Sequence, residues 1–160
     1  MIINIYAEPG YMPVKAEPHS RGWDCFAYIK EVVIVNPFIP TIIPLGFYVA
    51  SDIDLRAKSG LTINLGMILG NAPGTIECSY PDMVGAIVIN TSVSNNLIIS
   101  PGDVICQLLP ANEYETSELR IFPNKMALDQ LRDGFQSSRT GGFGNETAKA
   151  KHSKPILIPC

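Results

Sequence analysis

The stretch NAPGTIECSYPD, residues 71–82, sets a Pro-Gly pair ahead of an alternating run with a single carboxylate, Glu77, pointing one way. A loop of that composition is built to hold something, and Glu77 is a candidate general base, a binding group or a solvated strand residue. Four other pieces combine small, turn-permissive residues with one or two polar groups: GWDCFA (22–27), KSGLT (58–62), GDVICQLLP (102–110) and RTGGFG (139–144). In KSGLT, Ser59 and Gly60 read either as a strand-ending turn or as a hydroxyl and backbone N–H groups offered to phosphate oxygens. In RTGGFG the choice is between a flexible tail with a stray aromatic and a lid. As a lid, Phe143 would stack on a planar base while glycine N–H groups approach phosphates, since only glycine permits so close a backbone. Asp24 and Gln107, taken singly, read as a capped turn and a half-buried polar residue.

The elements that must position these pieces are short. β-Branched runs separated by turn residues dominate: residues 2–6, 32–35, 42–49, 86–90, 97–100, 104–109 and 120–122. Prolines mark the connections, and Pro101-Gly102-Asp103 reads as a tight turn feeding the strand after it. Only Asn124 to Asp133 has a helical pattern, with Asn124 as cap and Met126, Ala127, Leu128 and Leu131 sharing roughly one face. The expectation is an all-β barrel or jelly roll over residues 1–136, with one short helix, followed by a glycine-rich, then polar C-terminal arm and tail over 137–160.

With 160 residues, the chain has room for one domain and its core. It is 46% hydrophobic and 17% charged, so a share of apolar surface is expected to be covered by further copies of the chain. A net charge of −3 and no basic run beyond KAKHSK argue against a nucleic-acid surface and for a small ligand. Four scattered cysteines and two histidines write neither a zinc site nor a disulfide framework, so the thiols are expected to be reduced. No apolar run approaches a membrane span and no targeting signal opens the chain, which points to the cytoplasm of a cell or of an infected host cell.

Taken together and in this order, the five pieces resemble the motifs of the trimeric dUTPase family, from Gly22 to Gly144. NAPGTI followed by an acidic residue and then Tyr80 is the most specific part, and GD-x-I-x-QL and GGFG follow in the right order. The resemblance implies a β-jelly roll of the β-clip type and a homotrimer with active sites at subunit interfaces. Each site would cleave dUTP to dUMP and pyrophosphate with Mg²⁺, under a C-terminal arm. Residue by residue, it implies that Asn71 and the backbone of the hairpin it opens, through Gly74 and Ile76, read the uracil edge. Tyr80 packs under the deoxyribose, excluding a 2′-hydroxyl, and Phe143, followed by Gly144, stacks over the base. Lys58, Ser59, Gly60 and Arg139 meet the phosphates, Gln107 binds a phosphate or an ordered water, and Asp24 holds waters of the Mg²⁺ shell. Glu77 takes the place of the family's catalytic aspartate, which activates the water attacking the α-phosphate.

The departures gather at the phosphate end. Glutamate for aspartate at 77 adds a methylene, and a displacement of about 1 Å can cost on the order of a hundredfold in rate. Lys58 exchanges the family's planar arginine fork for a point charge. Arg139 stands one position closer to the glycine pair than is usual, Asn145-Glu146-Thr147 replaces Ser-Thr-Gly, and Pro81-Asp82 replaces a basic-glycine pair. The chain then continues to KPILIPC, an apolar ending suited to pinning the tail to a neighbouring subunit. These departures leave two alternatives beside a working dUTPase: a module that binds or sequesters a pyrimidine nucleotide or docks a regulatory partner, and an enzyme acting on another pyrimidine deoxynucleotide such as dCTP. Deamination, which related proteins of this fold perform with a strand glutamate, is disfavoured because residues 85–90, GAIVIN, carry no carboxylate.

Overall fold

A computed structural model of the chain describes residues 2–111 and 118–134, together with the backbone of residues 156–157. Among the described residues, thirteen short strands and two helices follow one another: β1 (Ile2–Ala7), β2 (Trp23–Phe26), β3 (Val33–Val35), β4 (Thr41–Pro44), β5 (Phe47–Val49), β6 (Ile53–Arg56), α1 (Ser59–Leu65), β7 (Met67–Leu69), β8 (Gly74–Ile76), β9 (Gly85–Asn90), β10 (Leu97–Ile99), β11 (Val104–Pro110), β12 (Glu118–Ile121), α2 (Lys125–Arg132) and β13 (Ile156–Leu157). They form four sheets, ordered β12-β1-β5, β10-β3, β2-β11-β6-β8 and β13-β4-β9-β7. Neighbours in these sheets are mostly distant in sequence, as expected of a jelly roll and unlike a meander.

The alternation of the strands sends one face inward. Ile3 and Ile5 of β1, Phe47 and Val49 of β5, Leu55 of β6, Val88 of β9 and Leu108 of β11 interdigitate in one core, all nearly or fully buried. β4 is buried along its whole length, so its run reads as continuously apolar rather than alternating.

Residues 42–49, read above as one strand, are two. The chain turns at Gly46, whose φ of +72° suits glycine and whose missing Cβ would stand 2.8 Å from Tyr11 Cβ. Gly102, at φ +81°, makes the tight turn foreseen before β11, with Ser100 N–H donating to Asp103 Oδ2 at 2.7 Å. Helix α2 starts where its cap predicts, Asn124 Oδ1 accepting from Ala127 N–H at 2.9 Å. Its buried face is narrower than the sequence suggests. Leu128 is fully buried while Met126 is 72% exposed, and the other inward group is Arg132, which donates to the Val49 carbonyl at 2.8 Å. A second helix, α1, was not expected; it has no buried residue, so no apolar stripe announced it. The apolar ending pairs through Ile156 and Leu157 with Thr41 and Ile42 of β4 in the same chain, parallel.

Candidate functional site

The outward face of the sheet β2-β11-β6-β8 carries a row of polar side chains drawn from three strands. Antiparallel register sets Gln107 of β11 opposite Asp24 of β2 on one side and Arg56 of β6 on the other. Directly opposed residues share a face, and the flanking positions Trp23, Leu55 and Leu108 are buried on the other. Asp24 is fixed by two backbone bonds with Val14, at 2.7 and 3.1 Å. Its Oδ1 accepts from Lys58 Nζ in an ion pair whose side chains are 28% and 17% exposed, Lys58 first. Lys58 is the N-cap of α1, so the end of β6 and the start of the helix bring it back over β2. Gln107 Nε2 points toward the Ala57 carbonyl at 3.5 Å. Gly22 sits under this group: a Cβ there would be 2.9 Å from Leu109 Cδ1, 3.0 Å from Gln107 Oε1 and 3.0 Å from the Leu108 carbonyl oxygen, so a side chain there would have to push the two side-chain ends aside and crowd the backbone. Ser59 and Gly60 occupy the first turn of α1, both exposed, with nothing within 4 Å of a Cβ on Gly60.

The second group lies on β8 and the turn after it. Strand β7 belongs to one four-stranded sheet and β8 to the other, so residues 70–73 are a corner between sheets. Asn71 is exposed and its side chain folds over Gly74, where a Cβ would meet Nδ2 at 3.3 Å and Oδ1 at 3.4 Å. Thr75 donates to Asp54 Oδ1 at 2.8 Å, and Ile76 is half-buried against the core. Glu77 is exposed just past the strand. A turn follows in which Tyr80 N–H donates to the Glu77 carbonyl at 2.9 Å, while Cys78 N–H donates to Asp52 Oδ1 at 2.8 Å. Tyr80 is buried, and burial first, then the nearby Asp82 carboxylate, pushes its phenol up to about 12. Burial and Asp52 likewise raise the Cys78 thiol above its ordinary value.

The sheet thus joins Asp24, Gln107, Lys58, Ser59 and Gly60 into one group, and Asn71, Gly74, Ile76 and Tyr80 into another. It does not bring Glu77 to the polar row within one chain. Ile76 pairs with Ile53, so Glu77 falls at the Asp52 end of β6. Arg56 is four residues away along that strand, about 13 Å at the usual rise. Arg139, Phe143 and Gly144 lie outside the described residues. Sequence reasoning missed Arg56, Asp54 and Asp52. The available signal was the alternation in IDLR, two residues before Lys58, which places Asp54 and Arg56 on one face.

Among the described residues no cluster of three or more His, Cys, Asp or Glu side chains could hold a metal ion, and no helix is long and apolar enough to cross a membrane. Asp24 on the row, with Oδ1 accepting from Lys58 Nζ, is a carboxylate of the kind that suits a cation keeping most of its water and taking other ligands from a bound molecule.

No family model matches the chain. It is 36% identical over 139 residues to the deoxyuridine 5′-triphosphate nucleotidohydrolase of Syntrophotalea carbinolica, covering 84% of this chain and 87% of the relative. The enzyme of that name from Finegoldia magna is 33% identical over 148 residues, 90% of this chain and 95% of its own. Among solved structures, a mutant dUTPase from phage phi11 of S. aureus, described for its coordination of a structural Mg(II) ion, gives a TM-score of 0.57. It is 17% identical over 72% of this chain and 95% of its own, so it bears on the fold alone. Identity at this level, sustained across nearly the full length of both bacterial relatives, places the chain in the deoxyuridine 5′-triphosphate nucleotidohydrolase family.

Proposed function

We propose that the chain hydrolyses dUTP to dUMP and pyrophosphate with Mg²⁺, in the cytoplasm, as a homotrimer whose sites are shared between subunits. The observation that carries the reading is the cross-strand row Asp24–Gln107 with Lys58 folded back on it, a polar strip on a sheet face whose other side is core. Lys58, Ser59 and Gln107 would stabilise charge on the phosphates, with the exposed first turn of α1 offering N–H groups beside Gly60. The triphosphate would bring Mg²⁺, held on the protein side through water by Asp24, and the ion would neutralise charge on the phosphate oxygens.

Glu77 would accept a proton from the water that attacks the α-phosphorus. The bond that forms joins water oxygen to phosphorus, and the bond that breaks releases pyrophosphate. The separation of Glu77 from the row within one chain supports a site completed by a second copy. So does the apolar face of β3 and β10, where Ile34 and Ile98 oppose each other at 58% and 62% exposure, with Phe38 nearby in sequence at 58%. Asn71 and the backbone through Gly74 and Ile76 would read the base, and Tyr80 would close the sugar pocket with its neutral ring. The domain of residues 1–136 would be followed by an arm, 137–160, bringing Arg139 to the phosphates and Phe143 and Gly144 over the base.

The test is pyrophosphate release from dUTP, dCTP, dTTP and UTP with Mg²⁺, beside calorimetric binding of a non-hydrolysable dUTP analogue. Release from dUTP alone is expected. Analogue binding without release would make the chain a nucleotide-binding module, and preferential release from dCTP would reassign its substrate.

A further inference from the structure

We infer that Cys25 and Cys106 form a cross-strand dithiol that a peroxide closes to a disulfide, stapling β2 to β11 one residue away from Asp24 and Gln107. In sequence the two cysteines stand far apart, and nothing around either announces a partner. Register brings them together: Cys106 of β11 lies directly opposite Cys25 of β2, next to the Gln107–Asp24 pair. Directly opposed residues share a face, and both side chains are fully buried on the core side. Opposed Cα atoms of an antiparallel pair are about 4.5–5.5 Å apart, within the roughly 4.4–6.8 Å that a disulfide bridges. Both are free thiols, and Cys25 Sγ donates to the Trp23 carbonyl at 3.6 Å. Cys78 follows β8 at the other edge of the sheet, two inter-strand spacings or about 10 Å from β11, too far to compete.

Covered thiols react when the strand over them opens. β2 is four residues long and ends its sheet, held on the far side by the Val14–Asp24 bridge, and its ladder with β11 is irregular between Val104 and Cys106. A short outer strand beside a bulge opens at a lower cost than the core, and this opening admits a small oxidant. Burial first, and then the Cys106 thiol beside it, holds the Cys25 thiol well above its ordinary value, so it stays protonated while the strand is closed. Once the strand is open, one thiolate attacks a peroxide oxygen: an S–O bond forms, the O–O bond breaks and water leaves. The second sulfur then displaces the hydroxyl of that sulfenic acid, forming the S–S bond and releasing a second water. Two thiols give up two electrons and two protons, and one hydrogen peroxide becomes two waters. The chain is thus a dithiol in a reducing cell and a stapled sheet under peroxide, its row held in register by a covalent bond as well as by packing.

The experiment treats the full-length folded protein with hydrogen peroxide, blocks the remaining thiols with an alkylating agent in denaturant, and maps the peptides by mass spectrometry, with thermal melts before and after treatment. A Cys25–Cys106 linked peptide is expected, from a chain that runs as a monomer on a non-reducing gel, and dithiothreitol should remove the link. The linked protein should melt about 5 °C or more above the reduced one, since the bond closes a long loop of the unfolded chain. Cys106→Ala should lose both the linked peptide and the rise, while Cys78→Ser keeps both. Recovery of Cys25 and Cys106 as alkylated thiols after hours in peroxide, or in links to other cysteines, would overturn the inference. So would a linked protein that melts at or below the reduced one, because the strands would then have been forced together. The wild-type map decides the matter even where Cys106→Ala fails to fold. None of these results bears on dUTP hydrolysis, which pyrophosphate release tests separately.

Discussion

The two edges of the sheet β2-β11-β6-β8 are built on different principles. At the β8 edge the candidate residues are nearly contiguous in sequence, from Asn71 to Tyr80, and they are placed by backbone: a corner between sheets, a three-residue strand and a turn closed by Tyr80 N–H on the Glu77 carbonyl. At the β2 edge they come from three separate stretches, around Asp24, Lys58 and Gln107, and they are placed by strand register and one ion pair. An edge made of backbone tolerates changes of side chain so long as the turn survives. An edge made by register depends on each partner and on the close packing beneath it, here Gly22 against Gln107 and Leu109.

The largest test of this contrast is Glu77→Gln. Loss of a general base is expected to lower turnover by about a hundredfold to ten-thousandfold with analogue binding retained, measured by pyrophosphate release and calorimetry. Mixing that variant with Asp24→Asn, each inactive alone, should restore part of the activity after subunit exchange, because the two edges would then meet across copies. If mixing restores nothing, the edges act within one chain and the contrast between them loses its functional meaning.

Gly22→Ala probes the packing under the row. A methyl group 3.0 Å from Gln107 Oε1 and 2.9 Å from Leu109 Cδ1 has to displace one of them, at about 1–3 kcal/mol. A lower melting temperature is expected, together with a raised KM for dUTP. A raised melting temperature would show that the row has slack that the close contacts conceal.

Asp52→Ala probes the other edge. Its carboxylate accepts from Cys78 N–H, next to Glu77, so its removal should loosen the direction in which Glu77 projects. About fivefold in kcat with little change in KM is expected, equivalent to about 1 kcal/mol for one partly exposed hydrogen bond. Asp52→Asn, which keeps an acceptor, should recover most of it. Equal losses in both variants would tie the effect to charge instead of position.

The last test concerns Tyr80 and stability instead of turnover. Its phenol titrates at about 12 in the fold against an ordinary value of 10, because burial disfavours the phenolate. The neutral ring therefore contributes stability in full below pH 10, and that contribution is lost as pH rises from 10 to about 12. Denaturant melts across this window should show a steeper fall for wild type than for Tyr80→Phe. Parallel curves would place the phenol in water.

Much of the fold was legible because its signals are local. The capped helix α2 begins at Asn124, the turn at Gly102 feeds β11, and the β-branched runs fall on strands. Where the reading failed, the local signal was absent or pointed the wrong way. Helix α1 has no buried face to give it a period, β4 and β5 are joined by two apolar-looking positions around Gly46, and β6 hides a strand among charges. Among the described residues Cys25, Cys78 and Cys106 carry free thiols, and Cys160 lies outside them.

The amino-acid sequence by itself determined the family-like order of motifs and the short-range constructions, because a turn, a cap or an alternating run needs only residues a few positions apart. Tertiary structure alone decided which side chains stand abreast: Arg56 with Gln107 and Asp24, Lys58 on Asp24, and Glu77 held about 13 Å along β6 from that row. The physical reason is register. A slip of one residue in β11 would send Gln107 into the core and Leu108 to the surface, and what forbids the slip is the packing of the whole inner face, which no local stretch records.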